Sequence, residues 1–208
     1  FVCRMDHEFP DRKRLVSALN KDIVPQSRVL EIGSGPIGIV SFLDCGQCYT
    51  IDPLEEYYRS DSALTALRNP KVVYGHGSGE CLPFDAGFFS HVILDNVLDH
   101  VHQAGAVLDE ICRILAPEGI FYLAVNIHTQ WGAVLHRILS RLKIDRGHPY
   151  TFTDQSIRQF VEQHGFCVTR EFINEYEQAK QQDLASHSSK DRLKGYCGLS
   201  EFVYHAVC

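Results

Sequence analysis

Val29-Leu30-Glu31-Ile32-Gly33-Ser34-Gly35-Pro36-Ile37-Gly38 is the stretch on which the reading of the fold turns. Its first residues form a short apolar run, as expected of a strand covered on both faces. Gly33, Gly35 and Gly38 then follow the spacing Gly-x-Gly-x-x-Gly. Glycine lets the backbone turn tightly and come close to a ligand. A helix beginning near Ile37 would offer that ligand its free N–H groups. Asp52 closes the next apolar run, 19 residues after Gly33. A carboxylate at that point can accept both hydroxyls of a ribose.

Outward from this turn, apolar runs and helical periods alternate. Residues 10–22 have the pattern of an amphipathic helix ending before Pro25. Strands are expected at Arg28–Ile32 and at residues 48–52, 72–74, 88–94 and 120–125. A short helix should follow the glycine turn over residues 37–43. A longer one should run over 54–67 until Asn69-Pro70 stops it. Val97, Val101, Ala104, Leu108, Ile111 and Leu115 recur at spacings of three and four, which predicts a helix over 97–115. Strands alternating with helices imply parallel pairing through right-handed crossovers.

The last third has a different texture. Thr153 is a candidate cap for a helix reaching His164, with Gly165 as its stop. Residues 166–173 and 201–207 read as two late strands. Residues 175–200, rich in Gln, Glu, Lys and Ser, predict a charged helix followed by a mobile loop.

The chain has 208 residues, enough for one domain that needs no disulfide staples. Its net charge of −6 lacks the basic footprint of a nucleic-acid binder. No apolar run approaches the length of a membrane span. The eight cysteines are scattered. Cys112 and Cys167 read as small core residues, and the Cys45-Gly46-Gln47-Cys48 pair as plain packing. A reducing, cytoplasmic setting is the expectation that follows.

The glycine turn by itself suits NAD and S-adenosylmethionine equally. Three features separate them. Glu31 brings negative charge beside the turn, which would repel a pyrophosphate and suit the ammonium group of a methionine moiety. Gly77-Ser78-Gly79-Glu80-Cys81-Leu82-Pro83-Phe84 follows the third strand. Arg113-Ile114-Leu115-Ala116-Pro117-Glu118-Gly119 leads into the fifth.

With these motifs in this order, the chain resembles the class I S-adenosylmethionine-dependent methyltransferases of the small-molecule-methylating type. The likeness covers residues 15–173 and includes His91-Val92-Ile93-Leu94-Asp95-Asn96 at the fourth strand and His148-Pro149-Tyr150-Thr151-Phe152-Thr153 later. It implies an α/β fold: a doubly wound, mostly parallel seven-stranded sheet in the order 3-2-1-4-5-7-6, the last strand antiparallel, with helices on both faces. It implies one domain over residues 1–208, with a helical lid or acceptor region at about 127–152 and a charged insertion at about 175–200.

The resemblance also assigns roles. Glu31, Gly33, Ser34 and Gly35 would surround the methionine end of S-adenosylmethionine. Asp52 would hold the ribose, and Pro53 and Leu54 would touch the adenine. Ser78, Gly79 and Glu80 would line the adenine edge, and Asp95 and Asn96 would lie beside the sulfonium. Ser78 departs from the aspartate usual in the family, which removes a charged acceptor for the adenine amino group.

The acceptor implied is a small molecule with an O, N or C nucleophile, and neither a nucleic acid nor stable membrane insertion is expected. Asp95-Asn96-Val97-Leu98 lacks the prolines and aromatic typical of enzymes that methylate nucleobases or glutamine. Val125-Asn126 lacks the carboxylate of metal-dependent relatives, so no metal is expected. If the acceptor must lose a proton, His100, His148 and Tyr150 are the candidate bases, with His128 a further one. A cofactor-binding protein without turnover and an NAD-dependent oxidoreductase are the alternatives.

Trp131, Val134, Leu135, Ile138, Leu139 and Leu142 make an apolar helical stripe, with Arg137, Arg141, Lys143 and Arg146 on or near it. Such a helix can pack on the sheet edge, cover an acceptor pocket as a lid, or lie on a membrane surface.

Overall fold

The computed structural model of the chain describes residues 19, 22–141 and 149–208. Most of the helix expected over 10–22 lies outside them, as do Leu142, Lys143, Arg146 and His148.

Seven strands form one sheet in the order β3-β2-β1-β4-β5-β7-β6, as expected. They are β1 (Arg28–Ile32), β2 (Gln47–Asp52), β3 (Val72–His76), β4 (Phe89–Asp95), β5 (Leu115–Ile127), β6 (Arg170–Ile173) and β7 (Phe202–Val207). β1 pairs in parallel with β2 and β4, and β2 with β3. β7 runs antiparallel to both β5 and β6. The helices are α1 (Glu55–Ser60), α2 (Ser62–Thr65), α3 (Ala104–Ile114), α4 (Gln130–Arg141), α5 (Asp154–Gln163), α6 (Tyr176–Ala185) and α7 (Ser189–Cys197), with a 3-10 turn at Ile39–Phe42.

The chain divides into two compact units. The first takes in the described residues up to Asp95 together with Asp109–Phe121. Its core is the buried apolar run of β1 and β4, where Val29, Leu30, Phe89, Val92, Ile93 and Leu94 are shut off from water. Phe84 packs edge-on to Phe89, with ring centroids 4.8 Å apart. The second unit is Asn96–Leu108 and Tyr122–Cys208. Its core gathers Leu98, Leu108, Leu123, Val125, Ile157, Val161 and Tyr204. Thr153 caps α5 through a reciprocal box with Ser156, and Gly165 ends it with φ 89°.

Several expectations are corrected. The helix expected over 97–115 begins only at Ala104, because Asn96 adopts φ 57° and residues 97–103 form turns. The Ala104 N–H donates to the Tyr150 hydroxyl (3.1 Å), which satisfies the first turn of α3. β5 starts at Leu115 rather than at residue 120, bending at Glu118 with φ 61°. The helix over 54–67 is broken at Asp61, whose extended backbone lets its carboxylate cap α2 from Ala63 N (2.8 Å). Residues 189–197 are helical rather than a loop, since Ser188 accepts from Asp191 N and Gly198 terminates α7 in the left-handed region. β6 covers only the last part of 166–173.

The cysteines also differ. Cys112 and Cys167 are exposed, not core. Cys45 and Cys48 are joined as a disulfide, their Cα atoms 6.0 Å apart, within the usual reach of such a bond.

The stripe on α4 points the other way from a packed helix. Trp131, Val134 and Ile138 are 65%, 49% and 49% exposed, while Gly132, Ala133 and His136 are buried. The small face packs because it allows close approach: a Cβ on Gly132 would lie 2.8 Å from the Gly198 carbonyl oxygen. Among the described residues, no helix is long and apolar enough to cross a membrane.

Candidate functional site

The carboxyl end of β1 flows into the glycine turn. Gly33, Gly35 and Gly38 all have positive φ, at 72°, 63° and 80°. Side chains other than glycine rarely adopt that region, so the turn depends on them. A Cβ on Gly35 would meet nothing within 4 Å, so the turn opens onto free space there.

Two buried carboxylates hold this turn from within. Asp52 is 6% exposed and accepts from Gly35 N through Oδ2 and from Leu54 N through Oδ1, both at 2.8 Å. It thereby ties the ends of β1 and β2 together, and each carboxylate oxygen keeps further lone-pair capacity. Glu31 is 3% exposed and accepts from Val40 N (3.0 Å). It sits below the turn, 2.6 Å from where a Cβ on Gly38 would be. Glu31 thus caps the 3-10 turn while lending the site its negative charge. The Ser34 hydroxyl donates to the Gly35 carbonyl (3.0 Å).

Pro53 and Leu54 follow, both exposed. Leu54 is 55% exposed, an apolar surface left open at the end of β2. The loop after β3 comes to the same place: Gly77 N donates to the Asp52 carbonyl (3.3 Å). In it the Ser78 hydroxyl donates to the Glu80 carboxylate, Gly79 is buried and Glu80 is half-buried. Asp95 is half-buried at the end of β4.

The sequence reading missed the outer support of the turn. The Arg68 guanidinium clasps the buried carboxylate of Glu55 at 2.9 and 2.6 Å and donates to the Pro36 carbonyl (2.7 Å). It also lies 4.0 Å above the Tyr74 ring, whose hydroxyl donates to the Ile37 carbonyl (3.1 Å). The partners are 13 and 32 residues away from Arg68, a separation that leaves no local pattern.

Arg113, which leads into β5 as the sequence implied, also supports the loop after β3. It donates to the Phe84 and Leu82 carbonyls, while Glu110 accepts from Leu82 N (2.7 Å). The hydrogen bond from Arg113 holds the Glu110 carboxyl below its ordinary value, against burial, which raises it.

The second unit holds the other candidates. Asn96 is exposed, and its N–H donates to the Ala124 carbonyl (2.8 Å). His100 is exposed, with Nε2 3.7 Å from the buried Asp99 carboxylate. The Tyr150 hydroxyl donates to the His102 carbonyl (2.9 Å) as well as accepting from Ala104 N. His128 is buried, stacked on His136 with centroids 4.8 Å apart, and its Nε2 is 3.8 Å from Glu201. Among the described residues no cluster of three His, Cys, Asp or Glu side chains is placed to hold a metal ion.

Residues 30–123 match the family described as methyltransferase domain. An uncharacterized methyltransferase of Mycobacteroides abscessus is 29% identical over 106 residues, covering 50% of this chain and 40% of that protein. YrhH of Bacillus subtilis, a candidate methyltransferase, is 30% identical over 112 residues, covering 52% and 62%. The chain therefore spans less than two thirds of either relative.

Among solved structures, a candidate sarcosine dimethylglycine methyltransferase from Galdieria sulphuraria superposes with TM-score 0.69 at 15% identity, covering 94% of this chain and 83% of that one. A geranyl diphosphate methyltransferase in complex with S-adenosylmethionine superposes at 0.68 with 10% identity, covering 93% and 83%. These two likenesses are of fold. Residues 30–123 thus carry the match to the methyltransferase domain family, and the chain, with its strand order 3-2-1-4-5-7-6, shares the fold of these solved methyltransferases.

Proposed function

We propose that the chain transfers a methyl group from S-adenosylmethionine to a small-molecule acceptor. The observation that carries this reading is the glycine turn itself, open above Gly35 and held by the buried Asp52 carboxylate through Gly35 N. A cationic cofactor suits a pocket whose buried charges, Glu31 and Asp52, are both negative. An NAD pyrophosphate would meet the same charges as repulsion.

The residues present fit the cofactor. Asp52 would take ribose hydroxyls on its remaining lone pairs, and exposed Leu54 would cover an adenine face. Glu80, drawn to Ser78, would supply the charged acceptor that Ser78 itself lacks. When bound, the cofactor supplies an activated methyl group on a positive sulfur, and the protein's part is alignment and the exclusion of water.

A base is required only where the acceptor must lose a proton early. Tyr150 is already committed at both of its hydrogen-bonding ends. His100, exposed and beside Asp99, is the better-placed acceptor of a proton among the described candidates. The Asp99 carboxylate would stabilise the imidazolium that forms.

Titration calorimetry with S-adenosylmethionine and S-adenosylhomocysteine is the test. Binding of both, together with a methylated product from a panel of small acceptors, is the expected result. No heat at millimolar cofactor would sink the reading. The commitment of Tyr150 to α3 favours one second reading, a protein that binds the cofactor without turnover. Binding with no product from any acceptor would support that alternative.

A further inference from the structure

Five large apolar side chains stand in water on two helices of the second unit. On α4 they are Trp131, Val134 and Ile138; on α7 they are Leu193 and Tyr196, 62% and 78% exposed. The two helices form one surface. A Cβ on Gly198, at the end of α7, would lie 3.4 Å from the Trp131 ring. Leu139 of α4 and Leu193 of α7 line a shared cleft that Lys190 and Lys194 also border.

The charge on this surface is one-sided. Arg137, Lys190, Arg192 and Lys194 lie on the two helices, against Asp191 on α7 and Glu201 at the edge of the cleft. α4 contains no acidic residue at all. Lys194 is partly engaged, 3.6 Å from Glu201. This local excess of cations stands out in a chain whose net charge is −6.

Apolar and aromatic side chains flanked by cations suit the boundary between headgroups and acyl chains. A second copy does not suit it, because a two-fold contact would set the same cations against one another. We propose that the α4–α7 surface docks peripherally on an anionic lipid bilayer, seating Trp131, Ile138 and Leu193 at the headgroup boundary. Nothing in it depends on methyl transfer.

Trp131 is the sole tryptophan of the chain, so its fluorescence reports on this surface alone. The full chain is mixed with vesicles of phosphatidylcholine, with or without phosphatidylserine. A blue shift and co-sedimentation with the serine-containing vesicles, reversed by high salt, are expected. Arg137→Glu and Lys190→Glu should each weaken partitioning about fivefold or more, from the usual contribution of one cation near an anionic surface. Glutamate in the first turn of α7 suits that helix, so Lys190→Glu should leave circular dichroism unchanged.

An unmoved emission on serine-containing vesicles would overturn the proposal, including the case in which an acidic protein is the true partner. Equal binding to both vesicle types would also overturn it. So would a lipid-free, concentration-dependent shift accompanied by a doubled mass, the signature of a second copy.

Discussion

The glycine turn and the outer helices α4 and α7 answer the same demand in opposite ways. Around the turn, three carboxylates are buried and bonded: Glu31 to Val40 N, Asp52 to Gly35 N and Leu54 N, Glu55 to Arg68. On the outer helices, large apolar groups stay in water and the cations cluster. The first arrangement is specified by the whole unit and tolerates little change. The second contributes little to the fold, so its apolar exposure calls for a reason outside the fold.

Substitutions can break this contrast, and the largest effect belongs at Arg68. Arg68→Ala leaves the buried Glu55 carboxylate with only the exposed Arg59, 3.5 Å away, and loss of the main partner of such a pair costs about 3 kcal/mol. Chemical denaturation should register that loss, and the double variant with Glu55→Gln should recover part of it.

Asp52→Ala should act on binding more than on stability. It removes the acceptor of two backbone N–H groups, and S-adenosylmethionine affinity should fall about 100-fold, the scale of one or two charge-assisted hydrogen bonds. Calorimetry with cofactor against an unchanged circular dichroism spectrum would check this. A fall of less than about threefold would remove Asp52 from the proposed site, being below the net worth of one such bond.

Thr153→Ala removes the cap of α5 and should cost about 1 kcal/mol, seen as a lower midpoint of thermal unfolding.

The pH dependence is smaller and has a definite sign. Burial pulls the His91 imidazole below its ordinary value of 6.5, and Asp22 opposes this only in part. Above pH 6.5 the ring is neutral folded or unfolded, and no penalty arises. As pH falls below 6.5, the unfolded chain takes up the proton first, so stability declines. His91→Gln should flatten the unfolding free energy between pH 5 and pH 7 (a window set about the ordinary histidine value).

The least effect belongs to α4. Ile138→Ser should change stability by under about 0.5 kcal/mol, because its side chain is already half in water. A much larger loss would show that the outer face is structural after all.

Much of the fold was legible because its signals are local. Val29–Ile32 is an apolar run apart from Glu31, the pattern of a strand buried on both faces. The capping of α5 by Thr153 needed only four residues. The glycine turn was legible for the same reason. Periodicity failed where it met a long-range bond. The apolar pattern of 97–115 continues through a loop that Asn96 and Tyr150 hold open. The stripe on α4 defined a helical face and left its environment open, since a helical period does not say which side meets water. The Arg68 clasp left no trace in spacing, because its partners are carbonyls and an acid brought close only by folding.

Tyr150 has a consequence for how this fold can change. Its hydroxyl bonds both the His102 carbonyl and Ala104 N, while Asn96 N is fixed on the Ala124 carbonyl. Residues 97–103 are therefore a short loop anchored at one end by a main-chain bond and at the other by the Tyr150 hydroxyl. Closing such a loop has already been met by its anchors, so its interior can be rewritten at little entropic penalty. Its exposed residues His100, His102 and Gln103 can be exchanged in single steps without unravelling α3, whereas Leu98 and Asp99 are buried and fix the loop to the core. Variation at those three positions leaves the rest of the framework as it is.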